Sequence, residues 1–279
     1  MGQHGETITI LLLILIGFTT WQGLNNPGVM QKYLFSTEAI RLRRQWIRLI
    51  SPAFLHGSWG HFFGNAITLY FFGRNLENEL GPGFLLGIFF ASVAGGHLLC
   101  MLLHKHEDYR AVGASGGALG LLFSTILLMP GMRIMIFPLP IPIPAWIYAF
   151  GFLFYTLSSM RGGSGVSHEA HLGGMLSGLL VTLLQYPALF RQQPLLIVAL
   201  LAVSGGGLWY FHANPGRVPG FLGLQVRGKV DEFKQARHQK NEAHLDSLLD
   251  KVSKEGIQSL SDRERQQLQD ASRNRGGKR

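Results

Sequence analysis

The chain has 279 residues, 47% of them hydrophobic and only 15% charged, with a formal net charge of +9. A soluble domain carries about 25% charged residues, so this composition excludes an ordinary water-soluble globule. The positive balance does not point to nucleic acid either: 14 of the 25 Lys and Arg fall in residues 214–279 among nine Asp and Glu, with no basic stripe of interleaved aromatics.

Seven windows hold no Asp, Glu, Lys or Arg: Thr7–Gln31, Leu49–Gly73, Leu80–His104, Ala111–Met132, Ile134–Met160, Ala170–Phe190 and Gln192–Gly216. A bilayer-spanning helix needs about 20 apolar residues. Each window is long enough for one, and most are apolar all round rather than along one stripe. In chain order the expected spans are Ile8–Trp21, Trp59–Gly73, Phe84–Leu103, Ala114–Met129, Ala145–Ser158, Ala170–Tyr186 and Pro194–Phe211. The first is expected to be retained, since no basic leader or small-residue cleavage site precedes it. The loop after it carries Lys32, Arg41, Arg43, Arg44 and Arg48, a set suited to lipid headgroups. Cys100, the only cysteine, lies inside the third span and reads as a small apolar residue.

Alternating prolines at 138, 140, 142 and 144 predict an extended connector. Arg161-Gly162-Gly163-Ser164-Gly165 predicts a mobile loop ahead of the sixth span. Gly205-Gly206-Gly207 weakens the seventh span without ending it. From Asn214 the composition turns soluble. There Asp246–Lys254 predicts a helix stopped at Gly256, and Ser261-Asp262-Arg263-Glu264 is a capping box opening a second helix, Asp262–Ala271. The expected organisation is an all-α polytopic membrane protein: a core over residues 1–190, an extra transmembrane helix over 191–213, and a soluble charged helical tail over 214–279.

Three polar clusters interrupt the apolar windows: His56, His61 and Asn65 in the second, Ser115 in the fourth and His171 in the sixth. The even-numbered spans cross a bilayer in one direction. His61, Ser115 and His171 all lie near the start of their helices, so they share one depth. Glycines allow the approach. Gly113/Gly117 and Gly116/Gly120, with Ala170/Gly174/Gly178, repeat the small-xxx-small spacing that lets helix backbones come close in lipid. A hydroxyl and an imidazole at such a seam point to a nucleophile and its base, Ser115 and His171. Ser115 at a helix start also brings free backbone N–H groups. These, with His61 and Asn65, are candidate oxyanion donors. His56 is expected to order the preceding loop, His97 to be packed, His104 to be interfacial, and His168 to sit at a loop edge on a different helix face. Gly113-Ala114-Ser115-Gly116-Gly117 also fits the G-x-S-x-G elbow of soluble hydrolases, but that elbow needs a strand before it.

These residues resemble the rhomboid family of intramembrane serine proteases. The carriers are His56-Gly57-Ser58-Trp59 with His61 and Asn65, then Gly113-Ala114-Ser115-Gly116, then Ala170-His171 with Gly174 and Gly178. The resemblance implies a six-helix core that hydrolyses peptide bonds in or near a substrate's transmembrane segment. On it Ser115 is the nucleophile and His171 the general base, then general acid. Ser115 N–H, His61 and Asn65 form the oxyanion hole, and Gly113, Gly116 and Gly174 shape the site. Arg74 and Glu77 look like the family's structural polar cluster, and His244–Ser272 resembles the C-terminal extension of some bacterial members. Two positions depart from the family pattern. Leu119 stands where many members carry an aromatic against the catalytic histidine, a role open here to Phe123 or Tyr155. Ile47-Arg48 replaces Trp-Arg in the first loop, with Trp46 one place early.

The resemblance implies a bacterial cytoplasmic membrane, with the N-terminus inside and the site facing out. The Lys and Arg count of the core loops favours the opposite orientation. The expected partners are transmembrane protein substrates and the lipid bilayer, with no nucleic acid, metal or cofactor. Two other function classes share the polar groups: a catalytically silent relative that binds transmembrane segments, and a small transporter. A transporter is expected to carry intramembrane carboxylates, and the first-choice spans hold none.

Overall fold

The computed structural model describes residues 5–136, 139–160, 166–213 and 247–261, together with 264, 265 and 268. The expected loop over 161–165, the tail over 214–246 and most of the helix over 262–271 lie outside the described residues. The chain divides into two compact units, Met1–Pro219 and Gly220–Arg279.

The first unit is mostly helical, and its long helices coincide with the apolar windows. They are α1 (Thr7–Asn25), α4 (Trp59–Leu80), α5 (Pro82–Leu103), α6 (Ser115–Leu128), α7 (Ala145–Ser159), α8 (His168–Gln185) and α10 (Pro194–Ala213). Two short helices, α2 (Pro27–Tyr33) and α3 (Thr37–Arg43), fill the first loop, and α9 (Leu189–Gln192) precedes α10. Local chemistry sets several starts. Asn26 caps α2 ahead of Pro27, Ser36 caps α3, Ser58 caps α4 through the His61 N–H, and Ser167 caps α8 through the Ala170 N–H.

The first helix is capped from far away in sequence. The buried Glu77 carboxylate of α4 accepts the N–H groups of Ile8 and Thr9 at 2.8 Å each and the Thr9 hydroxyl at 2.6 Å. Arg74 beside it pairs with Glu6 at 2.7 Å. The structure therefore extends α4 past the expected end at Gly73 and takes charged residues into it. They sit at its last turns, where the Glu77 carboxylate is hydrogen-bonded by α1's free donors.

Two small antiparallel ribbons join the helices. In one, β1 (Phe35–Ser36) pairs with β2 (Arg110–Ala111), Phe35 opposite Ala111. In the other, β3 (Arg133–Ile136) pairs with β4 (Leu139–Pro144), Met135 opposite Pro142 and Arg133 opposite Pro144. The proline run is thus a strand of a hairpin rather than a bare connector. Ala145 N–H donates to the Met132 carbonyl at 2.9 Å, so the odd-numbered residues face β3. Pro142 and Pro144 face the free edge, where a missing N–H costs no ladder bond.

The core sits around α6, in which every residue from Gly116 to Leu127 is buried. One apolar cluster joins α6 to α1, α4 and α5 through Leu12, Leu69, Ile88 and Leu121. The other joins it to α7, α8 and α10 through Phe123, Leu153, Leu179 and Leu200. Outward faces carry large apolar side chains: Leu11, Ile14 and Phe18 on α1, Phe63, Ile67 and Phe71 on α4, Leu180 and Leu184 on α8, and Leu195 and Val198 on α10. By length and composition α1 and α5 can cross a bilayer.

The seam between α6 and α8 is backbone on backbone. A Cβ placed at Gly178 would stand 2.5 Å from the Gly120 carbonyl oxygen, and one at Gly174 would meet the Gly116 carbonyl. Ser124 Oγ donates to the Gly178 carbonyl at 3.1 Å. Gly116 and Gly120 are therefore the pair that lies against α8, with Ser92 of α5 also hard against Gly120, whereas Gly117 faces Phe89 and Val93 of α5.

In the second unit, residues 247–255 are helical. The Ser261–Glu264 capping box is reciprocal: Ser261 N–H and Oγ each meet Glu264 Oε2 at 2.7 Å, and Glu264 N–H reaches Ser261 Oγ at 3.4 Å. Lys251 pairs with Glu264 at 3.2 Å.

Candidate active site

The helix starts of α4, α6 and α8 meet at one end of the bundle. Ser115, the first residue of α6, and His171, one turn into α8, are brought together with Ser115 Oγ 2.8 Å from His171 Nε2. The glycine seam makes this spacing possible, because any side chain at Gly174 would push α8 off α6. His171 is buried, and its Nδ1 makes no hydrogen bond among the described residues.

The backbone before Ser115 is pinned from two sides. His56 is fully buried. Its Nε2 accepts the Ala114 N–H at 3.2 Å and its Nδ1 meets Thr20 Oγ1 at 2.9 Å. Accepting at Nε2 leaves the proton on Nδ1, so the ring donates to Thr20. Burial, with the neighbouring His61 adding to it, pushes the His56 pKa down to about 3. The ring is thus a neutral acceptor at physiological pH. Gly113 has φ +131°, a conformation open to glycine, and a Cβ there would stand 2.8 Å from His61 Cε1. Gly113 thus allows both the turn into α6 and the approach of His61.

A cavity of about 730 Å³ opens here, with His61, Gly113, Ser115, Ser167 and Glu169 in its wall. Asn65 is not in that wall. Its Nδ2 donates to the His61 carbonyl one turn back, at 2.9 Å. His61 and Ser115 therefore share the cavity, and Asn65 is turned onto its own helix.

A charged cluster stands beside the cavity. The buried Glu169 carboxylate receives Tyr109 OH at 3.2 Å and lies 3.6 Å from His104 Nε2; His104 Nδ1 pairs with Glu107, and its ring stacks on Tyr109 at 3.9 Å. Glu169, against the effect of burial and helped by Glu107, holds the His104 imidazole above its ordinary pKa. Burial pushes the Tyr109 phenol up. His104 is thus tied to two carboxylates rather than simply interfacial. His97 is a packed histidine, bonded through Nδ1 to the Leu49 carbonyl at 2.7 Å and stacked on Phe35. Among the described residues no group of three or more His, Cys, Asp or Glu is placed to hold a metal ion.

Two expectations about the surroundings of His171 are corrected. His168 does not sit at a loop edge on another face. It opens α8, is 2% exposed, and its ring centroid lies 5.7 Å from that of His171. Residues three apart on a helix are neighbours, and that spacing was the available signal. Nor do Phe123 or Tyr155 flank His171. Phe123 lies in the apolar cluster and Tyr155 packs on His168, while Phe152 of α7 stands 6.2 Å from the His171 ring.

Residues 43–188 match the model of the Rhomboid domain. The chain belongs to the rhomboid family. It is accordingly a membrane protein. Among similar proteins, RHOMBOID-like protein 12, mitochondrial, of Arabidopsis thaliana is 28% identical over 56% of this chain and 51% of that protein. Rhomboid protein 1, mitochondrial, of Saccharomyces cerevisiae is 29% identical over 58% of this chain and 48% of its own length. Rhomboid protease GluP of Bacillus subtilis is 27% identical over 76% of this chain and 41% of its own. The chain thus spans about half the length of the curated relatives it matches. Because relatives are named as mitochondrial as well as from a bacterium, they support a membrane location and not the narrower expectation of a bacterial cytoplasmic membrane. Residues 230–274 match a second model, a family of unknown function.

Proposed function

We propose that this rhomboid is an intramembrane serine endopeptidase, cutting peptide bonds in or near the transmembrane segments of other membrane proteins. The observation that carries the reading is the 2.8 Å contact between the Ser115 hydroxyl and His171 Nε2. In this reading neutral His171 takes the Ser115 proton as Oγ bonds to the scissile carbonyl carbon, and the carbonyl electron pair moves to oxygen. The Ser115 N–H and His61 donate to that oxyanion, joined by Asn65 when its amide turns from the His61 carbonyl. Collapse breaks the C–N bond, and His171 hands its proton to the leaving amine. A water, deprotonated by His171, then releases the acyl group from Ser115. The retention of both groups at hydrogen-bond distance favours this reading over a silent relative that only binds transmembrane segments. Glu77 and Glu169, the buried carboxylates of the long helices, are already engaged by α1 and by Tyr109, which argues against a transporter.

In this reading α1 and α4–α8 are the six core spans, and α10 is a seventh. At about 1.5 Å per residue the 14 residues of α6 reach only about 21 Å, against about 30 Å of hydrocarbon. A central rod that short leaves Ser115 below the headgroups, with the cavity supplying water to it. The N-terminus is placed inside and the cavity outside. A Lys32→Cys label accessible only from the inside, in a background without Cys100, would reverse that orientation.

The activity is tested with a panel of tagged single-span proteins incubated with wild type and Ser115→Ala side by side. We expect cleavage by wild type and a loss of at least about 10³-fold in Ser115→Ala. A serine-directed phosphonate should label wild type at Ser115. Absence of that labelling in every lipid tried would sink the reading.

A further inference from the structure

The base in a serine–histidine pair is ordinarily oriented by a third group on its other ring nitrogen. Here His171 Nδ1 makes no hydrogen bond among the described residues, so apart from the Ser115 contact at Nε2 the ring is oriented by what packs against it. Two rings do so. His168, one turn earlier on α8, stands at 83° to His171 with centroids 5.7 Å apart, and Phe152 of α7 lies 6.2 Å away at 37°. His168 is itself held, at 2% exposure and 81° to Tyr155 with centroids 5.5 Å apart. Tyr155 and Phe152 are three residues apart on α7, so one helix supports both sides of the imidazole.

We propose that His168 is a positioning residue: its ring, braced by Tyr155, fixes the rotamer of His171 so that Nε2 stays on Ser115. This rests on the dyad reading above. The role belongs to a flat ring at that place and not to a proton on His168. A cation there would oppose the imidazolium that forms on His171 during the reaction.

The test uses the full chain in proteoliposomes and compares His168→Phe, which keeps a ring, with His168→Leu, which does not. The readouts are kcat and KM on a single-span substrate, the rate of Ser115 labelling by a phosphonate, and the Tm. His168→Leu should lower kcat and the labelling rate about three- to tenfold, the range of an edge-to-face ring contact, with KM unchanged. His168→Phe should restore most of the loss. If His168→Leu does not fold, His168→Met takes its place as the ringless variant. Wild-type rates in the ringless variant, or equal losses in the Phe and ringless variants, would overturn the assignment. Failure of wild type to label at Ser115 would instead overturn the dyad, so the two failures are distinguishable.

Discussion

The glycines of α8 and those of α10 are used differently. In α8, Gly174 and Gly178 face the bare backbone of α6, where one added carbon at Gly178 would stand 2.5 Å from a carbonyl oxygen. In α10, Gly205 and Gly206 face nothing within 4 Å, and only Gly207 meets a neighbour, the flexible end of Leu157. The α8 glycines set a distance between two main chains. The first two α10 glycines set none. A catalytic hydrogen bond at the end of a seam inherits the rigidity of that seam, because two packed backbones have no side chain to give way.

The sharpest way to break this comparison is Gly178→Leu. It should cost about 2–3 kcal/mol of stability and abolish cleavage, read by thermal unfolding and by substrate turnover. Wild-type turnover in that variant would mean that the seam does not set the Ser115–His171 distance. Next comes the pin at the end of the seam. His56→Ala leaves the buried Ala114 N–H without its acceptor, a penalty of about 1–3 kcal/mol, and should lower turnover by about tenfold or more through the misplaced Ser115. Thr20→Val, which removes only the outer partner of His56, should do less.

The third prediction concerns pH at the cavity rim. His104 has its pKa raised by Glu169, so the folded state holds a proton that the unfolded state gives up first. That contribution is complete below the unfolded value near 6.5 and is lost as pH rises through the folded one. His56 runs the other way. With a folded pKa of about 3, its contribution is complete above about 6.5 and fades as pH falls toward 3. In Tm measured against pH, Glu169→Gln should shrink the alkaline part of the decline, leaving what Glu107 supports, and leave the acid part unchanged. The smallest effect expected is Gly206→Ala, a gain of about 0.5–1 kcal/mol with unchanged turnover. A loss there would show that α10 also has a partner at this face.

The windows without charge located the seven long helices among the described residues, because hydrocarbon tolerates so little else. They misjudged ends wherever a distant residue supplied the cap. α4 runs to Leu80 because Glu77 is engaged by the first turn of α1, 68 residues away from Thr9, and no local pattern carries that. The short helices of the first loop escaped notice among its scattered arginines, although Asn26-Pro27 and Ser36 are ordinary start signals. Ser115, His171 and His56 were legible because polar groups in apolar windows stand out. Which glycine faces which neighbour was not, since Gly113, Gly116, Gly117 and Gly120 are alike in one dimension and face α4, α8 and α5 in three. Phe152 was hidden for a similar reason, as one aromatic among several on α7.

The hairpin at the opposite end of α6 has a consequence for how this protein meets its neighbours. With prolines at 142 and 144 of β4, its open side presents no main-chain donor at two successive sites. A second ribbon cannot find on that side of β4 the donors it would need to continue the sheet. On the β4 side, contact with a neighbour therefore falls to side chains such as the exposed Ile141.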